Sequence, residues 1–170
     1  MRTGNAESRR ILAKLNPRLT VRAHQYVFCT LVYALVAFCL ALILWFVFGS
    51  DTDALTLRAV ASCSTAGAML GLLSTRFFRG SSQKTAILSG VMGGLLIHPI
   101  SWILFSAGSW IYVQWTSGNA AGTLLESAFA GLLFSLGSLS FGFLLTCPAF
   151  VGAAWFCHRH LKDATLPDPK

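Results

Sequence analysis

The chain has 170 residues, 55% of them hydrophobic and only 11% charged, with 13 Lys and Arg against 6 Asp and Glu and a formal net charge of +7. A mean hydropathy of +0.65 excludes an ordinary soluble domain. The basic excess does not describe a nucleic-acid surface, because the cations flank long apolar runs and are not interleaved with stacking aromatics. They serve orientation in a bilayer and attraction to anionic headgroups.

Residues 1–25 form a basic N-terminal segment containing Arg2, Arg9, Arg10, Lys14, Arg18 and Arg22. Within it, Ile11, Leu12 and Leu15 interleave with the cations up to Pro17, a pattern that suits either a solvated topogenic tail or a short helix on the inner leaflet. A first span is predicted at about 26–48, uncharged and long enough to cross a core of roughly 30 Å. It exceeds the h-region of a signal peptide, and no soluble domain is expected to follow it. It shows no stripe of small residues and is expected to be the more lipid-exposed helix.

A second span is predicted at about 55–78, diluted by Ser62, Ser64, Thr65 and Ser74 and beginning near Arg58. The third is expected at about 86–108, with His98 and Pro99 at mid-depth, followed by Trp110, Tyr112 and Trp115 as an interfacial aromatic belt. From about 122 to 157 runs an apolar stretch of roughly 54 Å if helical, too long for one upright span. No polar turn divides it, so it reads as one transmembrane helix that is kinked or carries an interfacial extension, with Gly137, Ser138 and Pro148 as candidate bends. Residues 158–170 form a polar tail.

Charge placement sets the direction of these spans. The N-terminal cations, the group Arg76, Arg79 and Lys84, and the group Arg159, Lys162 and Lys170 lie in segments that alternate with nearly uncharged ones. By the positive-inside rule they are cytoplasmic. The expected fold class is therefore all-α: a polytopic membrane protein with a four-helix antiparallel transmembrane domain over 26–157, both termini cytoplasmic, in a bacterial inner membrane. Arg58 is the single cation expected on the outer side.

Helices in lipid gain little from hydrophobicity against one another, so small residues mark where backbones approach. Ala61, Ser64, Gly67, Gly71 and Thr75 recur along the second span at steps of three or four, the glycines as a GxxxG pair. Gly90 and Gly94 share a face with His98 and Ser101 in the third, and Ser127, Gly131, Ser135, Ser138 and Gly142 line the last. These stripes either close the chain's own bundle or receive a partner helix or a second copy.

Three ionisable residues are the candidate intramembrane polar site. Glu126 has three readings: contact with interfacial water, a pair with Arg58 at similar depth, or a part in ion or proton movement. His98 points at another helix and suits a neutral imidazole bonded across the bundle. A bis-histidine haem does not fit, since His24, His158 and His160 all lie at the cytoplasmic ends. Pro99 releases the carbonyl of Leu95, which His98 or a hydroxyl is placed to compensate.

The five cysteines lie at 29, 39, 63, 147 and 157, none in an outer loop, and are expected as free thiols. Cys157, His158 and His160 form a C-H-x-H cluster of the kind that suits zinc or copper, but helical spacing splays adjacent residues by about 100° and a basic anchor explains them. Asp51, Asp53, Asp163 and Asp168 lie outside the spans, so no intramembrane aspartyl pair exists. No G-x-S-x-G occurs, and Gly90 to Gly94 lacks the lysine of a phosphate loop. No catalytic residue, metal or cofactor is expected.

The function expected is contact with the bilayer and with another membrane protein, as an accessory or assembly subunit or as an immunity or exclusion factor. The topology is similar to that of immunity proteins of pore-forming bacteriocins, without shared motifs. The alternative is a small transporter or channel component using Glu126, Arg58 and His98 along a polar path.

Overall fold

The computed structural model describes residues 23–43, 46, 53–78 and 82–163, and every regular element among them is helical. Four long helices follow in chain order: α1 (Ala23–Ile43), α2 (Asp53–Phe78), α3 (Gln83–Ser117) and α4 (Leu124–Asp163). The first three are long and apolar enough to cross a membrane, and α4 joins them if its two bent halves count as one span. The basic stretch up to Arg22, the loop with Asp51, Arg79 and the 166–170 tail lie outside the described residues.

Local chemistry fixes the helix ends. Ser82 caps α3 by accepting from the Thr85 N–H at 3.4 Å. Gly118 closes it at φ 69°, a left-handed conformation open to a residue without Cβ, and its N–H reaches the Gln114 carbonyl. α3 therefore runs on past the expected end near 108, carrying Trp110, Tyr112 and Trp115 on helix instead of on a trailing segment. Pro99 removes one ladder bond without ending the helix, and 35 residues make roughly 52 Å, longer than a hydrocarbon core.

α1 buries Cys29, Tyr33, Ala37 and Ala41, one residue every four. That face meets the α2 glycines: a Cβ at Gly67 would stand 2.6 Å from the Tyr33 carbonyl oxygen, and one at Gly71 2.6 Å from that of Cys29. The first helix thus does carry a small-residue stripe, with Cys and Ala in place of glycine. It is still the least buried of the first three.

α3 and α4 pack in opposite chain directions. A Cβ at Gly90 would come 2.5 Å from Val151 Cα, one at Gly94 2.6 Å from Cys147 Cα, and one at Gly131 would collide with the Trp102 carbonyl oxygen. Between Gly94 and Trp102, eight positions on α3 face sixteen on α4, from Cys147 back to Gly131. The surplus is taken up by a bend of 86° between Leu124–Ser140 and Gly142–Lys162. The bend falls between Ser140 and Gly142, about a turn after the expected Gly137 and Ser138 and not at Pro148. Ser135, Ser138 and Ser140 hydroxyls bond the carbonyls of Leu132, Ser135 and Leu136, competing with the ladder where Gly137 and Gly142 already weaken the helix. Pro148 stays within regular helix.

The core lies where the helices converge. Tyr33 of α1 meets Phe150 of α4 edge-to-face at 5.3 Å, with Leu70 and Phe78 of α2 and Ile97 of α3 in the same buried cluster.

Candidate intramembrane polar site

His98 stands in the crook of the α4 bend. Its ring is buried, 7% exposed, in the notch that Gly142 leaves; a Cβ there would run into His98 Cε1. Nδ1 lies 3.0 Å from Ser138 Oγ and Nε2 3.1 Å from Thr146 Oγ1. Because the Thr146 hydroxyl donates to the Gly94 or Gly142 carbonyl at 3.1 Å, it accepts from His98, which assigns the proton to Nε2. Nδ1 then accepts the single Ser138 proton, for which the Ser135 carbonyl at 3.1 Å competes. One imidazole thereby fastens both arms of α4 to α3.

The Thr146 hydroxyl reaches the Gly94 carbonyl and not that of Leu95, which Pro99 releases, so it does not replace the bond lost at Pro99. Thr146 escaped the sequence reading, although it continues the stripe of Ser138 and Gly142 by a further step of four. Ser138 and His98 have the separation of a nucleophile and its base. The second ring nitrogen, however, is held by a hydroxyl and not by an orienting carboxylate.

Glu126 sits elsewhere, exposed at the start of α4. Its carboxylate accepts from the Thr123 N–H at 2.7 Å, and the Glu126 N–H donates back to Thr123 Oγ1 at 3.2 Å. This is a reciprocal capping box, with the negative charge at the positive end of the helix dipole. The T-x-x-E spacing is visible in the sequence and was the missed signal. Beside it lies an apolar groove of about 470 Å³ lined by Ile103, Leu125, Glu126, Ala128, Phe129 and Leu132.

Arg58 does not meet Glu126. Its guanidinium carbon stands 3.7 Å over the Tyr112 ring, a cation–π contact joining α2 to the C-terminal part of α3. The three candidate residues are therefore in three places with three separate partners.

The small-residue stripes also have internal partners. Gly67 and Gly71 receive α1, and Gly90 and Gly94 receive α4. Ser127 donates to the Ser106 carbonyl of α3 at 2.9 Å, Ser135 is 1% exposed, and Ser64 bonds the Val60 carbonyl within α2.

At the far end, the Cys157 thiol is fully buried and faces that of Cys29, while His160 stacks on Phe28 at 4.3 Å. Cys157 and His160 thus both meet α1, and no group of three or more possible metal ligands occurs among the described residues. Compared with known proteins, the chain matches no family, no curated protein and no solved structure.

Proposed function

We propose that this chain is a four-span antiparallel protein of a bacterial inner membrane, with both termini cytoplasmic, that acts by lateral helix contact with another membrane protein. Accessory or assembly subunits and immunity or exclusion factors are the classes that fit. The observation that carries the reading is on α2. Its glycines are occupied by α1, yet the opposite side leaves Leu57, Ala61, Thr65 and Met69 exposed at steps of four. Thr65 donates to the Ala61 carbonyl at 2.8 Å, so its hydroxyl is satisfied and the face offers small, apolar relief. Such relief is what a partner helix packs against in lipid, where hydrophobicity itself gives no association.

Transport along Glu126, Arg58 and His98 would need these groups joined by polar steps across the membrane. Capping, cation–π stacking and the α4 clamp engage them separately, which favours the contact role.

The test is purification from native membranes in mild detergent, comparing the wild-type chain with Ala61→Leu/Thr65→Leu. The reading expects a co-purifying membrane protein that is lost in the double variant while the chain's own abundance and thermal midpoint hold. Capture of the same protein by both would remove α2 as the docking face.

A further inference from the structure

Tyr33 is the largest fully buried side chain among the described residues, and its hydroxyl makes no hydrogen bond. The ring leaves α1 past two glycines. A Cβ at Gly71 of α2 would stand 2.9 Å from Tyr33 Cβ, and one at Gly93 of α3 would stand 3.5 Å from Tyr33 Cε1. The hydroxyl end therefore reaches beyond Gly93, between the two helices. One turn from those glycines lie Ser74 on α2 and Ser89 on α3, whose hydroxyls bond each other at 3.3 Å. Tyr33 Oη lies beside both serines without hydrogen-bonding geometry to either. Phe150 of α4 closes the group edge-on.

A phenol hydroxyl shut away from solvent is normally paired, because losing its bond to water without replacement is costly. Three hydroxyls from three helices, one lacking an acceptor and two with open lone pairs, match the roughly three bonds of a buried water. The walls are tight: a Cβ at Gly93 would already stand 3.0 Å from Phe150 Cδ1.

We propose that Tyr33, Ser74 and Ser89 form a binding site for a single water molecule. It accepts from the Tyr33 hydroxyl and donates to the two serine oxygens, tying α1, α2 and α3 at one point in the core. The site is independent of the lateral-contact role.

Two measurements on the full chain test it. A map of the protein in lipid nanodiscs, at a resolution that shows ordered water, is expected to place density within hydrogen-bond distance of Tyr33 Oη and at least one serine. Tyr33 Oη bonded directly to a serine, with no density between, would overturn the site. Thermal unfolding should show Tyr33→Phe lowering the midpoint by about 2–4 °C, with Tyr33→Phe/Ser89→Ala no worse than the sum of the single changes. An unchanged or raised midpoint in Tyr33→Phe would also overturn it.

Discussion

At the scale of single residues, His98 shows how a polar side chain is kept inside an apolar bundle. Both ring nitrogens meet hydroxyls, at 3.0 and 3.1 Å, and the Thr146 hydroxyl passes its own proton on to a backbone carbonyl, so no buried polar atom of the imidazole is left open. Gly142 makes room for the ring. Gly142→Ala is expected to destabilise the fold by about 1–3 kcal/mol through overpacking, and His98→Ala by about 1 kcal/mol through the lost interhelical bonds. Methyl and imidazole contend for one space, so the double variant should fall short of the sum in reversible unfolding from mixed micelles. Strict additivity would show that the ring does not occupy that notch. The position of His98 on a contact face was legible from its spacing with Gly90 and Gly94. Its partners were not, because helical periodicity names a face and does not say which turn of another helix lies opposite. For Arg58 and Glu126, similar depth suggested a pair. Depth carries no information about rotation about the bundle axis, and the two instead face Tyr112 and Thr123.

At the scale of elements, α4 answers a question of length. An apolar run too long for one span and lacking a polar turn contains a bend built from serine and glycine, with no charged or proline punctuation. Irregular backbone at membrane depth is tolerable where protein covers it, and here His98 and the inner face of α3 do so. Polarity therefore failed as a guide to the break, while the Gly137–Ser138 signal lay within a turn of it. α1 gives a second lesson: alanine and cysteine at steps of four serve as well as glycine on one side of a helix pair, provided the other side is glycine. Gly71→Ile should detach α1 and cost more than about 2 kcal/mol, whereas Gly152→Ile, which meets open space, should stay within about 0.5 kcal/mol. Detergent thermostability of the two variants checks this. Equal losses would mean that the α1–α2 contact is not close.

For the whole molecule, the length and apolarity of the runs were enough to read helices long and apolar enough to cross a membrane, which is what the described residues form, because both are one-dimensional properties. Direction in the bilayer rests on the distribution of cations. In a background with the native cysteines replaced by alanine, Asn119→Cys should react with a membrane-impermeant thiol reagent in intact cells, and Gln83→Cys should react only after permeabilisation. Reaction of Gln83→Cys in intact cells would invert the proposed topology. The central claim is that Arg58, His98 and Glu126 hold the fold together and do not conduct. Reconstitution into liposomes with a measurement of proton and ion flux under an imposed potential tests it most directly. The account predicts flux no greater than that of protein-free liposomes; flux that Glu126→Gln or His98→Gln abolishes at unchanged protein content would contradict it.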